Sequence, residues 1–170
     1  MLGIKPSVLL GEAHPSVRMV NVMAIETAGL LFFANRESGK GQQLRQKPHA
    51  SLCFYWPQLS EQVIFEGAVI QVDIATSDLH WNNMSRERKA YIWLAAELPP
   101  SETRGQLSES VERDWELSNY SQIKRPEHWY AWRIVPERIE FWPSGWRRAQ
   151  ERELYTRDGD GAWRIELVNP

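Results

Sequence analysis

The tetrapeptide Asp158-Gly159-Asp160-Gly161 constrains the fold more than any other stretch of the chain. Alternating Asp and Gly supply the positive-φ positions of a tight turn. The runs it joins, Glu153–Arg157 and Trp163–Val168, are short and rich in β-compatible residues, so the C-terminal part reads as an antiparallel hairpin. Two strands are expected before it, Trp129–Val135 and Arg138–Trp142. Earlier, Val8-Leu9-Leu10 reads as a short strand and Gly11 to Pro15 as a turn. Val17–Ile25 turns through Thr27-Ala28-Gly29 into Leu30–Ala34, a second hairpin. Ala50–Trp56 and Gln62–Val72 are further strands, the latter able to bend at Gly67. Helices are expected from a Ser38 cap through Gln46, over Ser77–Ala96, and over Ser108–Leu117. Pro48, the Pro99-Pro100 pair and Pro126 act as stops. The sum is a mostly β fold, an antiparallel sheet of about seven or eight strands with a few helices; closure into a full or partial barrel would protect that many strands from exposed edges.

At 170 residues the chain fits a single domain spanning 1–170, with a core of its own. A formal net charge of −2 gives no electrostatic case for nucleic acid or an anionic membrane. The single cysteine, Cys53, lies in an apolar run and reads as a buried structural thiol; it excludes an intramolecular disulfide and fits a reducing compartment. There is no apolar run of membrane-spanning length and no signal-peptide pattern, so a cytoplasmic location is expected. Nine tryptophans suggest more apolar surface than one core uses, covered by a dimer partner, a ring-shaped ligand or both.

Nucleophile-elbow and phosphate-loop motifs are absent, and His14, His49, His80 and His128 lack metal-ligand spacing. What remains is a set of anion-holding positions at element ends. Arg18 starts the Val17–Ile25 strand. Lys40 lies in the first turn of the Ser38-capped helix, where free N–H groups and the helix dipole favour a phosphate. Trp142 ends one strand and Arg152 precedes the next, an indole and a guanidinium suited to a flat anionic ligand. Gln62 can present an amide to a heteroaromatic edge. Each of these also reads as a solvated surface group or part of an ordinary hairpin.

Taken in order, the residues resemble the pyridoxamine 5'-phosphate oxidases and their relatives with an FMN-binding split barrel. The matching stretches are Pro15-Ser16-Val17-Arg18-Met19-Val20, Leu31-Phe32-Phe33-Ala34-Asn35 with Ser38-x-Lys40, Phe54-Tyr55-Trp56, and Gln62-Val63 with Gly67. Further on come His128-Trp129, Trp132-Arg133, Val135 to Trp142, and Arg152-x-Leu154-Tyr155 to Trp163-x-Ile165. The resemblance implies a homodimer with FMN at the subunit interface. It implies that Arg18, Met19, Val20, Phe33, Ala34, Lys40 and Gln62 contact the cofactor, with Trp142 and Arg152 supplied by the other subunit. It also implies transfer of a hydride from substrate C4' to flavin N5, with reoxidation by O2. Arg148 would orient the substrate as the catalytic candidate, and His80, Arg86, Arg88, Arg148 and Gln150 would line the substrate pocket.

Several positions depart from the family pattern. Gly39 stands where the family has an Arg, and Met23 where it has a substrate-binding Lys. His80, Met84 and Arg88 replace a Tyr, Arg and Ser cluster, with Arg86 close by. Gln150 replaces a His, the Gln-Ser pair expected near Glu97–Ser101 has no clear match, and the chain begins after the family's N-terminal arm. Three functions follow from this pattern: an oxidase of pyridoxamine or pyridoxine 5'-phosphate, a flavin oxidoreductase with a different substrate, or a non-catalytic flavin-binding protein.

Overall fold

The computed structural model describes residues 4–8, 16–97, 123–143 and 151–169. In chain order they form β1 (Ile4–Val8), β2 (Ser16–Val17), β3 (Val22–Glu26), β4 (Gly29–Asn35), α1 (Gly39–Gln46), β5 (His49–Trp56), β6 (Glu61–Gln71), α2 (Ile74–Asn82), α3 (Arg86–Glu97), β7 (Trp129–Trp142), β8 (Arg152–Arg157) and β9 (Trp163–Val168). The nine strands make one sheet with the order β2-β1-β5-β6-β7-β4-β3, and β8 and β9 extend it from β7. Two compact units result: Met1–Val72 with Tyr130–Pro170, and Asp73–Trp129.

The first unit is built on period-2 burial. Leu30, Phe32 and Ala34 of β4 alternate into a core with Leu52 and Phe54 of β5, Val63 of β6, and Trp132 and Ile134 of β7. Leu44 of α1 is fully buried in the same cluster. β7 runs unbroken through Pro136, where two strands were expected. It pairs along its length with β6, from Gln71↔Trp132 to Gln62↔Trp142. Its other edge meets β4, and then β8 at Arg138–Phe141. The register shifts between Glu66 and Gly67, opposite Pro136. Proline gives the ladder no N–H, so a bulge at that point lets the strand continue. Gly67 is obligatory there, because a Cβ would stand 2.0 Å from the Val135 carbonyl oxygen.

The expected hairpins hold. β3 turns into β4 through Gly29 at φ 132°, and β8 into β9 around Gly161 at φ 88°. The Val17–Ile25 strand is instead two pieces, β2 and β3, so Arg18 lies in the unpaired link between them rather than in a strand. The first strand is Ile4–Val8; Leu9, Leu10 and the Gly11–Pro15 turn lie outside the described residues. Cys53 is partly rather than fully buried, its thiol 3.8 Å from the Phe54 carbonyl oxygen.

In the second unit the helix expected over Ser77–Ala96 is two helices. Asp73 caps α2 by accepting from Thr76 N at 2.8 Å, Asn83 closes it, and Ser85 Oγ accepts from Arg88 N at the start of α3. The segment 123–129 is strapped to these helices. Trp81 Nε1 donates to the Ile123 carbonyl at 2.8 Å, Trp93 Nε1 donates to the Lys124 carbonyl at 2.6 Å, and Arg125 meets Asp78 at 2.7 Å. The expected helix over Ser108–Leu117 lies outside the described residues.

Candidate cofactor-binding site

The turn between β4 and α1 is folded by its own side chains. Asn35 Oδ1 accepts from Glu37 N at 2.7 Å, and Ser38 Oγ donates to the Asn35 carbonyl at 2.7 Å while accepting from Gly41 N at 3.2 Å. This is the Ser38 cap expected from the sequence. Gly41 is required by the fold-back, since a Cβ would lie 2.4 Å from the carbonyl oxygens of Asn35 and Arg36. At Gly39 a Cβ would meet nothing within 4 Å.

Lys40 projects from this first turn, which holds no acidic residue. A cation at a helix N-terminus is already disfavoured by the dipole. Burial lowers the Lys40 pKa further, and the neighbouring Arg18 guanidinium adds to the effect, bringing it from 10.5 to about 8. Arg18 reaches the same place from the β2–β3 link. Val20 packs against the core and Met19 is 59% exposed, so the alternation of the segment aims Arg18 back toward α1. Its Nη2 donates to Gln43 Oε1 at 2.8 Å and to Ser16 Oγ, and Ser16 Oγ donates to Gln43 Oε1 at 3.0 Å. Arg18 Nε is buried with no hydrogen-bond partner among the described residues. Neither Arg18 nor Lys40 forms an ion pair with a carboxylate among the described residues. Two adjacent cations, one with its pKa lowered by burial and by the other, with an orphaned guanidinium N–H and open space at Gly39, fit a multiply charged anion such as a phosphate monoester.

A second group sits at the shared end of β6, β7 and β8. Gln62 and Trp142 are directly opposed across β6 and β7 and therefore share a face. The Arg152 guanidinium lies 4.8 Å from the Trp142 ring centroid. Arg152 Nη1 also binds Glu140 Oε1 at 2.9 Å, and Arg138 stands 3.7 Å from the other Glu140 oxygen. The charge of Arg152, unlike that of Arg18, is therefore matched by a carboxylate. The cleft here is open, about 240 Å³, and lined by Gln62, Val63, Phe141, Trp142, Pro143 and Tyr155 among others.

The sequence-expected positions thus fall into two groups, Arg18 with Lys40, and Gln62 with Trp142 and Arg152. Phe33 and Ala34 are 7% and 1% exposed, so what they offer a ligand is backbone rather than side chain. His80 stands on α2, and Arg86 and Arg88 are exposed on α3, all in the second unit. Arg148 and Gln150 lie outside the described residues. Sequence reasoning missed Ser16, Gln43 and Glu140. Gln43 had a signal: three residues after Lys40 on the same helix, it shares that face.

Comparison with known proteins accounts for nearly the whole chain. Residues 10–142 match the family described as pyridoxamine 5'-phosphate oxidase, and residues 129–170 match the pyridoxine 5'-phosphate oxidase C-terminal dimerisation region. The pyridoxine/pyridoxamine 5'-phosphate oxidase of Anaeromyxobacter dehalogenans is 40% identical over 92% of this chain and 78% of its own length. That of Myxococcus xanthus is 36% identical over 94% of this chain and 77% of its own. Among solved structures, PhzG from Burkholderia lata, in complex with tetrahydrophenazine-1-carboxylic acid, superposes with a TM-score of 0.86 at 22% identity, covering 99% of this chain and 82% of that one. A pyridoxamine 5'-phosphate oxidase-related, FMN-binding protein from Nostoc punctiforme gives 0.77 at 20% identity, covering 99% of this chain and 87% of that one. The fold is the expected split barrel, mostly β with three helices among the described residues. By identity to its relatives and by the two family matches that together run from residue 10 to the end, the chain belongs to the pyridoxamine 5'-phosphate oxidase family.

Proposed function

We propose that this protein is an FMN-dependent oxidase of pyridoxine and pyridoxamine 5'-phosphate. The observation that carries this is the 36–40% identity, over more than nine-tenths of the chain, to enzymes bearing that name. The paired cations beside a capped helix start supply independent physical support for the cofactor's phosphate. In this reading Arg18 and Lys40 hold the phosphate, the backbone at Phe33 and Ala34 flanks the cofactor with Met19 and Val20, and Gln62 meets the ring edge. Because Gln62 sits opposite Trp142 within one chain, it comes together with Trp142 and Arg152 from the other subunit of a homodimer. The match to a dimerisation region supports that assembly.

When bound, FMN supplies a two-electron acceptor that O2 regenerates with release of peroxide. The protein's own contribution is to hold and orient. Glu140 fixes Arg152 against the Trp142 ring, and the Arg18–Lys40 pair fixes the far end of the cofactor. Arg148, Gln150, His80, Arg86 and Arg88 are the positions we assign to the substrate. No helix among the described residues is long and apolar enough to cross a membrane, which accords with action in the cytoplasm.

A second reading, a flavin oxidoreductase with a different substrate, is favoured by two methionines at substrate positions. Met84 is 7% exposed and packed inward, and Met23 is a partly buried thioether where the family carries a cation. Addition of pyridoxamine 5'-phosphate to the FMN-loaded protein separates the two. Peroxide released in step with the aldehyde supports the first. A yellow protein that stays silent with both phosphorylated vitamers rules out the first.

A further inference from the structure

We propose that Gln43 is a positioning residue for the Arg18 guanidinium, holding it with neutral acceptors so that its full charge stays available to the cofactor's phosphate. This rests on reading the Arg18–Lys40 cluster as the flavin phosphate site.

Arg18 needs such a tether. It lies in the link between β2 and β3, outside any strand, where no ladder fixes its backbone. Val20 anchors the segment to the core, but the long side chain of Arg18 keeps its rotamer freedom unless its head is held. Gln43 holds it: Oε1 accepts from Arg18 Nη2 at 2.8 Å and from Ser16 Oγ at 3.0 Å, and Ser16 Oγ accepts from the same Nη2. The triangle fastens one nitrogen of the fork and leaves the buried Nε with no partner among the described residues.

The choice of acceptor is informative. Arg125, Arg133 and Arg152 are each held by a carboxylate, Asp78, Glu26 and Glu140, at 2.7–2.9 Å. An ion pair orients a guanidinium more strongly than an amide does, but it also cancels the charge. At Arg18 the fold uses an amide and a hydroxyl instead. That choice makes the unliganded cluster less stable, with Lys40 close by and already depressed. It makes sense if an external anion completes the cluster. Gln43 stands three residues from Lys40 on α1, so a single helix face carries one cation and the tether of the other.

The test uses the full chain stripped of flavin and titrated separately with FMN and with riboflavin, which lacks the phosphate, by quenching of flavin fluorescence. Gln43→Met removes the acceptor at similar volume and should weaken FMN about tenfold, leaving riboflavin within about twofold. Gln43→Glu keeps the tether but pairs the charge, and should weaken FMN at least as much. In an Arg18→Ala background, Gln43→Met should add nothing further, because it acts through Arg18. Unchanged FMN affinity in both Gln43 variants, parallel loss of FMN and riboflavin, or additive losses in the double variant would each overturn the proposal. Wild-type protein that binds FMN no tighter than riboflavin would instead sink the reading of the site itself.

Discussion

Lys40 should make the flavin-free protein less stable than it need be, and the size of the effect can be worked out. Its pKa falls from 10.5 to about 8 in the folded chain, first through burial and then through Arg18. The folded state thus disfavours the charged form by about 2.5 pKa units, or about 3 kcal/mol. Below pH 8 both folded and unfolded chains carry the proton, and this whole penalty opposes folding. Between pH 8 and 10.5 the unfolded chain holds more protons than the folded one, so stability rises with pH at up to about 1.4 kcal/mol per unit. Above 10.5 the penalty is gone. Lys40→Met, which keeps the aliphatic stem and drops the charge, should therefore stabilise the flavin-free protein at pH 7 by 1–3 kcal/mol, the upper figure being about the full penalty. By pH 9.5 the advantage should shrink by roughly 2 kcal/mol. Urea unfolding of both proteins at pH 7 and 9.5 reads this directly. With excess FMN the order should reverse, since ligand stabilises the folded state according to its affinity and the variant has lost a phosphate contact. A variant no more stable than wild type at pH 7, or an advantage that does not change with pH, would refute the coupling of Lys40 to burial and to Arg18.

Other outcomes follow from the same geometry. Arg152→Ala should weaken FMN roughly ten- to hundredfold by equilibrium titration, as loss of one charge-assisted hydrogen bond would. Glu140→Gln, which keeps the shape but frees the charge of Arg152, should make FMN affinity more sensitive to salt than in wild type; an identical salt slope would argue against the Glu140 pairing. Gly67→Ala should cost about 3 kcal/mol or more of unfolding free energy, because its Cβ would fall on the Val135 carbonyl oxygen in a bulge that cannot relax without breaking the β6–β7 register. Gly39→Ala, with open space around it, should stay within about 0.5 kcal/mol of wild type in the same assay.

Much of the fold was legible because local chemistry fixed it. The Ser38 cap and the Gly29 and Asp158–Gly161 turns each depend on residues within a few positions of one another. The misreadings arose where a distant strand decided the outcome. Trp129–Val135 and Arg138–Trp142 read as two strands until Gly67, far away in sequence, provides the bulge that lets β7 pass through Pro136. Arg18 reads as a strand residue because Val17 to Ile25 is rich in β-formers, and propensity does not reveal that no strand among the described residues pairs with the link. The break between α2 and α3 was written locally, in Asn83 and Ser85, but the apolar spacing across it outweighed two polar residues that also fit a helix surface. At the site, residue types suited to an anion or a ring could be found one by one. That Gln43 reaches Arg18, and that Glu140 neutralises Arg152, depends on side chains 25 and 12 positions apart meeting in space.

The long strand β7 also has a bearing on how the chain is made. Residues 129–142 pair with β6, β4 and β8, and Arg133 meets Glu26 across 107 positions. Until that strand leaves the ribosome, β6 and β4 each present an unpaired edge, and the whole Asp73–Trp129 unit must emerge before either is capped. Such distant pairings slow folding, while exposed edges invite association between nascent chains. Mutations that destabilise β7 should therefore lower soluble yield more than their effect on the finished protein would suggest.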